Sequence, residues 1–433
     1  MKPFIVIQGP VATRSGYGNH TRDLVLSLIK ADKYDVQIIS LPWGNTPMNA
    51  LRLDNADHKM IHDHIAVQNI TRQPDVFIQV SVPNEFQKVG KFNIGVTAGI
   101  ETNQVSHEFI EGCNRMDLII TTSEHSKQGF VQCSYDKVDS KTNQVIASLR
   151  LEKPIEVLFE GLDTAVYKHT TSLHESVNTQ LSQIKENFAF LFVGHWLRGD
   201  LGHDRKDVGM LVKTFAETFK NKSAHNRPAL VLKTSHSGFS IMDRDEVTRK
   251  IQLLLEQYGT KAPNVYLLHG DLSDEEMNSL YNHPKIKAMV SFTKGEGFGR
   301  PLLEFTASGK PVIASGWSGH IDFLKHSILL PGEMTPVHES AADQFLLKDS
   351  KWFTVNYQYA MSVLKHVSEN YKDYLKTAKI QTKFTEQNFN LTKMNELFCK
   401  YIDTAISNIP AAVTLKLPQL KKIELPKLKK IEA

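Results

Sequence analysis

The chain has 433 residues, and its apolar (41%), aromatic (9%) and charged (23%) fractions are typical of a soluble globular protein. This length suffices for two or three domains, each with its own hydrophobic core. No apolar run approaches the roughly 20 residues that span a bilayer, and MKPFIVIQGP resembles a first core strand rather than a secretion signal. Three scattered cysteines, Cys113, Cys133 and Cys399, indicate neither a disulfide framework nor a metal site. We therefore expect a protein of the reducing cytoplasm.

The net charge of +4 lies at the C-terminus, because residues 411–433 hold six lysines and two glutamates. A formally neutral body argues against a general nucleic-acid-binding surface. The tail repeats LPQLKKIE (417–424) as LPKLKKIE (425–432), and a proline at every eighth position prevents a long helix. A solvated basic appendage fits this pattern, and so does a segment that docks to a partner or an acidic surface.

The first half of the chain alternates between strand and helix patterns. An amphipathic helix, NHTRDLVLSLIKA, follows the first strand, and further helical or polar segments separate the other strands. This alternation predicts parallel strands with crossover helices, and thus a Rossmann-like domain over residues 1–170. The predicted strands are KPFIVIQ, YDVQIISLP, DVFIQVSV, FNIGVTAG and DLIITTS. Residues 165–187 are polar and lack a core strand, so we place the connection between domains there.

A second alternating series begins at FAFLFVGHW (188–196) and predicts a second Rossmann-like domain over residues 171–387. Helices are predicted near 207–220, 244–258 and 274–282, and residues 351–408 are predicted to be helical throughout. The remaining strands are ALVLKTS, NVYLLHGDL, IKAMVSFT and PVIASGW.

The most informative stretch is SFTKGEGFGRPLLEFTASGKPVIASG (291–316), which runs from a strand through a glycine turn into a helix. Free N–H groups and a positive dipole end at such a turn suit a diphosphate. Gly297 and Gly299 lack Cβ atoms, so a ligand can approach the main chain closely. Glu296 would lie beside the phosphates, and Glu304 would reach hydroxyl groups of the same ligand. An anion site between two carboxylates indicates a sugar nucleotide rather than ATP.

The order GEGFG, PLLE, ASGKPVIAS resembles the E-x7-E region of retaining GT-B glycosyltransferases, in particular glycosyltransferase family 4. The resemblance implies two Rossmann-like domains that face a cleft, with the last helix (388–410) crossing back to the N-terminal domain. It also implies a nucleotide diphosphate sugar as donor, and neither cofactor nor metal. Glu296 would then hold the donor sugar, Glu304 the ribose, and the N–H groups of Phe298 and Gly299 the diphosphate.

In the family, an arginine and a lysine neutralise the diphosphate, because two buried phosphate charges need partners. In FLFVGHWLRGDLGHDRKDVGMLVKTF (190–215), Lys206 matches the lysine and His195 stands in place of the arginine. Arg198 or Arg205 is a candidate to supply the missing charge. Asp243-Arg244-Asp245 spells the D-x-D motif of metal-dependent transferases, but it precedes a predicted helix, and we interpret it as a helix cap.

The N-terminal domain carries weaker motifs. Gly16 and Gly18, in GPVATRSGYGNHTRDL (9–24), resemble the family's N-domain glycine loop, although a purely structural loop fits nearly as well. Glu101 and His107 are candidates for the acceptor side, and His107, with Glu296, is a predicted catalytic residue. In VLFEGLDTAVYK (157–168), Glu160 stands where the family commonly has asparagine.

The leading hypothesis is a retaining transferase that moves a hexose from a UDP- or GDP-sugar to a glycan, lipid or other acceptor. A non-catalytic nucleotide-sugar-binding scaffold remains an alternative because of the replacement at His195. A GT-B epimerase would need a hydrolytic acid/base pair that we do not find, and a nucleic-acid-modifying glycosyltransferase would need basic surface that only the tail offers. The donor base and sugar, the acceptor, the linkage and the oligomeric state stay open.

Overall fold

The computed structural model describes residues 2–67, 70, 72–139, 141–236 and 238–409. The repeat tail (411–433) lies outside the described residues, so what is expected of it stays a prediction. The strands are β1 (Phe4–Gly9), β2 (Asp35–Ser40), β3 (Val76–Val80), β4 (Phe92–Thr97), β5 (Leu118–Thr121), β6 (Ser134–Val138), β7 (Val145–Arg150), β8 (Ile155–Val157), β9 (Ala189–Val193), β10 (Ala229–Lys233), β11 (Val265–Leu268), β12 (Ile286–Ser291), β13 (Val312–Ser315), β14 (Ile328–Leu330), β15 (Gly332–Pro336) and β16 (Lys351–Val355).

The α-helices are α1 (Gly16–Ala31), α2 (Ala56–Asp63), α3 (His107–Asn114), α4 (Glu124–Gln132), α5 (Glu175–Ser182), α6 (Val208–Phe219), α7 (Ile241–Glu256), α8 (Asp274–Asn282), α9 (Arg300–Thr306), α10 (Tyr357–Glu369), α11 (Tyr371–Asn388) and α12 (Leu391–Ser407). Short 3₁₀ helices span Pro83–Glu85, Ala224–Asn226, Gly259–Lys261 and Gly319–Asp322. The helices of the described residues include none long and apolar enough to cross a bilayer.

Two six-stranded parallel sheets organise the chain. The first has the order β2-β1-β3-β4-β5-β8, and the second has the order β11-β10-β9-β12-β13-β14. Strands such as β9 and β10 are buried along almost their whole length, as expected for central strands of a sheet covered by helices on both faces. The predicted α/β fold class, with two doubly wound Rossmann-like units, is confirmed. Below, the N-terminal and C-terminal domains are the units built on the first and second sheets.

Helix α12, near the end of the described chain, packs against α1 near its beginning, in the N-terminal domain. Four of its residues share a buried cluster with strands β1 and β3 and with α1. They are Met394, Phe398, Ile402 and Ala405. Their spacing by three or four positions puts them on one face of the helix, which explains the packing.

The structure differs from two sequence-based expectations. The predicted helical region begins with a strand, β16, which pairs with β15 in an antiparallel hairpin. KWFTV is rich in aromatic and β-branched residues, and the partner strand needed to complete the hairpin lies fifteen or more residues earlier. The segment 165–187 contains α5, whose Val177 and Leu181 pack into the core of the second sheet. The exact domain boundaries stay a prediction.

Candidate active site

The glycine turn joins β12 to α9 at the carboxyl edge of the second sheet. Gly299 takes a left-handed conformation with φ of 100°, which disfavours any residue with a Cβ atom, and α9 begins at the next residue. Phe298 is buried and packs on Phe323 with ring centroids 5.0 Å apart. The Phe298 side chain therefore anchors the turn to the core, and only its main chain remains for a ligand.

Glu296 lies between two cations from the loop before α6. Lys206 Nζ donates to Glu296 Oε1, and Arg205 Nη1 lies 3.3 Å from Oε2. Arg205 Nη1 also donates to the Gly295 carbonyl at 2.9 Å and lies 3.7 Å from Glu101 Oε1 of the N-terminal domain. Burial opposes ionisation of Glu296, but the charges of Lys206 and Arg205 outweigh it and lower the pKa to about 2. The structure thus brings Glu296, Lys206 and Arg205 together, and it adds Glu101.

His195 cannot supply the charge of the arginine that it replaces. Its Nδ1 lies 3.2 Å from Ser235 Oγ at the end of β10. Burial, reinforced by the neighbouring charges of Lys206, Lys233 and Arg205, lowers its pKa to about 4, so the ring is neutral near pH 7. In this structure His195 is therefore a neutral hydrogen-bonding group.

Of the two candidate arginines, only Arg205 joins Lys206. Arg198 pairs with Asp343 Oδ2 at 2.7 Å and donates to the carbonyls of Ala341 and Ala342, away from Glu296. The ion pair with Asp343 thus holds Arg198 away from Lys206.

Glu304 occupies a second buried cluster that also draws on both domains. Arg300 Nε donates to Glu304 Oε1 at 3.1 Å, and the Tyr281 hydroxyl donates to Oε2 at 3.2 Å. Arg300 Nη1 donates to Asp23 Oδ2 of α1 at 2.6 Å and lies 3.8 Å from Glu160 Oε2. Burial raises the pKa of Glu304 to about 7 against the opposing charge of Arg300. Glu304 faces the cleft between the domains, but its carboxylate already has protein partners.

The glycines of the turn make room for the N-terminal domain. A Cβ atom on Gly295 would lie 1.9 Å from the Glu101 carbonyl oxygen, and one on Gly297 would lie 2.0 Å from that of Ala98. Ser123 Oγ donates to the Gly297 carbonyl at 2.6 Å. The space predicted to admit a ligand beside Gly297 is thus filled by main chain of the other domain, and the two domains meet at the turn.

Gly16 and Gly18 differ in their surroundings. A Cβ atom on Gly18 would lie 2.3 Å from the Thr13 carbonyl oxygen, so this glycine is required by a tight turn. Gly16, the first residue of α1, has open space where a Cβ would be, and Ser15 caps the helix. Of the pair, Gly16 is the one that leaves room for a ligand.

His107 lies apart from these clusters. It is an exposed first residue of α3, and its ring meets the edge of Tyr135 at 6.0 Å. Within the described residues, no contact joins it to Glu296, so its catalytic role stays a prediction. Its neighbour in the sequence motif, Glu101, is the residue that reaches the site.

The D-x-D segment lies inside α7 rather than before it. Ser240 is the N-cap and accepts from the Asp243 N–H, so the cap assignment to Asp243 and Asp245 was wrong. The Asp243 carboxylate instead accepts from the His236 N–H and contacts His269 Nε2 at 2.7 Å. In the part of the chain that the structure describes, no group of three His, Cys, Asp or Glu side chains is arranged to hold a metal ion.

Two residues at the interdomain cleft escaped the sequence analysis, namely Arg300 and Asp23. The spacing of Arg300 and Glu304 is i, i+4, which indicates a helical ion pair and was readable from RPLLE. No local sequence pattern indicated that Asp23, 277 positions earlier, contacts Arg300.

Residues 210–345 match the profile of the family Glycosyl transferases group 1. This match includes the glycine turn, Glu296, α9 and Glu304. The chain carries a glycosyltransferase domain. The prediction of a glycosyltransferase is confirmed by this match, which does not extend to Arg205 and Lys206. No curated protein sequence matches the chain.

Solved structures of glycosyltransferases share the fold of this chain at low sequence identity. Sucrose-phosphate synthase from Thermosynechococcus elongatus is 13% identical with a TM-score of 0.62, and the match covers 94% of this chain and 100% of that one. HepE from Anabaena, in complex with UDP and glucose, is 13% identical with a TM-score of 0.59, covering 93% and 100%. Trehalose-6-phosphate synthase OtsA is 11% identical with a TM-score of 0.58, covering 93% and 99%. These matches confirm the predicted GT-B architecture.

Proposed function

We propose that this glycosyltransferase moves a hexose from a nucleotide diphosphate sugar to a hydroxyl-bearing acceptor, with retention at the anomeric carbon and without a metal ion. The observation that carries the proposal is the convergence of Lys206 and Arg205 on Glu296 at the carboxyl edge of the second sheet. Ligands of open α/β sheets bind at this edge. Three free cysteines, two of them buried, support a cytoplasmic site of action.

The charge balance of this cluster suits a diphosphate. With no ligand, Lys206 and Arg205 satisfy Glu296 and Glu101, so neither cation is left buried without a partner. A bound diphosphate would share the two cations with Glu296, and Arg205 would supply the charge that His195 lacks. As the bond between the anomeric carbon and the diphosphate oxygen breaks, these cations would stabilise the negative charge that develops on the leaving group.

The two glutamates have different proposed roles. Glu296, held ionised by its cations, would accept hydrogen bonds from hydroxyls of the donor hexose, and Glu304 would accept from the ribose. Neither role requires a nucleophile, so the pair differs from the two carboxylates of a glycosidase. Gly16, at the start of α1 on the opposite side of the cleft, leaves space for donor or acceptor.

The contacts between the domains favour transfer over hydrolysis. Main chain from Ala98 to Glu101 lies directly on the glycine turn. A cleft closed in this way around donor and acceptor excludes water, so hydrolysis of the donor is expected to be slow compared with transfer.

The proposal is tested first by binding. A thermal-shift screen without metal uses UDP, GDP, ADP, dTDP and their common sugars, with UDP and UDP-glucose tried first because HepE has been crystallised with UDP and glucose. One nucleotide that raises the melting temperature of the wild type, but not of Glu304→Ala, supports the donor class and the ribose contact. The anomeric configuration of the product, read by NMR in an acceptor screen, tests retention.

A non-catalytic nucleotide-sugar-binding protein is the second candidate, and the neutral His195 is the observation that favours it. Tight binding of a nucleotide sugar would favour this candidate if the sugar is transferred to no acceptor and the donor is not hydrolysed even over days. Measurable turnover that disappears in Lys206→Ala would eliminate it.

A further inference from the structure

We propose that Arg300 is a positioning residue that orients Glu304 toward the donor ribose, and that Asp23 makes this orientation conditional on closure of the two domains. The inference rests on the proposed function, because it assigns Glu304 to the ribose. Arg300 touches neither donor nor acceptor in this account, and it acts through Glu304.

Arg300 bridges two carboxylates that belong to different domains. Its Nε donates to Glu304 within α9, and its Nη1 donates to Asp23 on α1. Glu304 is buried, and the other two are largely shielded from solvent, with exposed side-chain fractions of 15% for Arg300 and 13% for Asp23. Because the guanidinium is a rigid planar fork, a single orientation of the group serves both contacts.

The Glu304 carboxylate is fixed from two sides. Arg300 holds Oε1, and the Tyr281 hydroxyl holds Oε2. A carboxylate has about four lone-pair sites, so two remain for the neighbouring hydroxyls of a ribose. Removing Arg300 would free one oxygen and release the plane of the carboxylate, whereas Tyr281 alone cannot fix it.

Domain opening would dissolve this arrangement. Asp23 and Glu160 both belong to the N-terminal part of the chain and would leave Arg300 together. Arg300 would then keep only its partner four positions along a short helix. Exposed pairs of that kind stabilise a helix only weakly. The oriented form of Glu304 would therefore persist only while the domains are closed.

Two buried polar groups near Arg300 lack hydrogen bonds within the described part of the chain, as expected of a junction between domains that opens and closes. Glu160 Oε2 has no hydrogen-bond donor in the described residues, and neither ring nitrogen of the buried His20 on α1 has a partner there. Buried polar groups without a hydrogen bond are unfavourable inside a protein and recur where a ligand or a movement is involved. They give opening a driving force that the Arg300 bridge opposes.

The first arm of the test needs no ligand. Small-angle X-ray scattering compares the free wild type with Arg300→Gln, Asp23→Asn and a control, Asp271→Asn. The control removes another ion pair between the domains, Arg14 Nη1 to Asp271 Oδ2 at 2.5 Å, which is about one-third exposed and does not contact Glu304. We expect a larger radius of gyration for the first two variants than for the wild type, and an unchanged radius for the control. Wild-type scattering from Arg300→Gln overturns the closure half of the inference.

The second arm measures how well the protein distinguishes ribose from deoxyribose. Calorimetry gives the ratio of dissociation constants for 2′-deoxy-UDP and UDP, and for the guanosine pair. We expect about a tenfold preference for ribose in the wild type, the size of one hydrogen bond to a charged group. The preference should fall to about onefold in Arg300→Gln and Asp23→Asn, stay at the wild-type value in Asp271→Asn and be partly restored in Arg300→Lys.

The outcomes separate the two proposals. If the wild type prefers ribose and Arg300→Gln keeps that preference, the role of Arg300 is refuted while the proposed donor stands. If the wild type binds no nucleoside diphosphate, both the proposed donor and the ribose role of Arg300 are refuted, and the scattering result alone decides closure.

Discussion

Glu296 and Glu304 stand eight positions apart in one motif, yet one lies in a charge-balanced cluster and the other in a cluster with excess negative charge. Around Glu296, two cations (Lys206 and Arg205) face two carboxylates, the second being Glu101. Around Glu304, the ion pairs of the described residues share one cation, Arg300, among Glu304, Asp23 and Glu160. Both glutamates are buried and both clusters combine the two domains, so the number of counter-charges is the main difference.

This difference places the pKa values of the two glutamates on opposite sides of the usual range. Burial raises the pKa of both carboxyls, but Lys206 and Arg205 reverse that effect for Glu296 and bring its pKa to about 2. One shared arginine cannot do so for Glu304 and Glu160, whose pKa values burial raises to about 7. Glu296 is thus ionised throughout the neutral pH range, whereas Glu304 and Glu160 titrate near neutral pH.

The largest effect is expected from removing one cation of the balanced cluster. Lys206→Ala should lower kcat/KM about 10²- to 10³-fold, as does loss of one preorganised group that stabilises developing charge. Lys220→Ala is the control, because Lys220 follows the far end of α6, where it pairs with Glu217 at 2.6 Å and lies over the Tyr258 ring. Steady-state kinetics with the donor identified by the binding screen checks this, and equal activities for the two variants would contradict the proposed phosphate site.

The contact between the glycine turn and the N-terminal domain can be broken at Gly297. In Gly297→Ala, the new Cβ would lie 2.0 Å from the Ala98 carbonyl oxygen, so the main chains must separate. We expect a loss of about 3 kcal/mol, at the upper end of overpacking effects, together with a larger radius of gyration. Gly238→Ala is the control, since a Cβ there meets no atom within 4 Å. Urea unfolding measures the stability of each variant, and scattering measures its radius of gyration. If neither quantity changes in Gly297→Ala, the turn adapts to the new side chain.

Relieving the excess negative charge of the second cluster should stabilise the protein. Ionised Glu160 opposes folding above its folded pKa of about 7, and this penalty disappears below the ordinary pKa of about 4.5. Glu160→Gln should therefore raise the free energy of unfolding by about 2 kcal/mol at pH 8 and much less at pH 5. Glu339→Gln, at an exposed site, should change neither value. A gain of equal size at both pH values would rule out charge as the cause.

The smallest effect is a pH dependence confined to ribose recognition. Glu304 accepts two ribose hydroxyls only when ionised, so the preference for UDP over 2′-deoxy-UDP should grow about fivefold as pH rises from 6 to 8, through its pKa of about 7. Both ligands carry the same diphosphate, so its own titration cancels in the ratio. Glu304→Gln should show a small, pH-independent ratio. A flat wild-type profile would remove Glu304 from the ribose site.

The fold was largely predictable from local patterns. Short β-branched runs that alternate with amphipathic segments predicted the strands of both sheets, because each pattern reflects burial of one element. The motif 291–316 likewise predicted the turn, α9 and the positions of both glutamates. Strand β16 was missed, since five residues carry too little periodicity to distinguish a strand from a helix start.

The site was predictable only where a sequence motif carried its residues. Lys206 and Glu296 followed from motifs. Arg205 was one of two candidates for the missing positive charge, and only the structure showed that its side chain lies beside Glu296. Arg300 was visible in the motif, but its bridge to Asp23 was not. Glu101 was chosen only as a general candidate on the acceptor side, alongside His107, and no pattern indicated which of the two lies near Arg205.

The sequence by itself determined the two parallel sheets, the glycine turn and the residues that stand at the carboxyl edge, because these depend on patterns within about 30 residues. Only the tertiary structure decided how many charges surround each glutamate and which glycines face the other domain. Those properties depend on the approach of Ala98, Glu101 and Asp23 from the N-terminal domain. A carboxylate's pKa is set by the burial and charges around it in space, and these come from segments with no periodic relation to the motif.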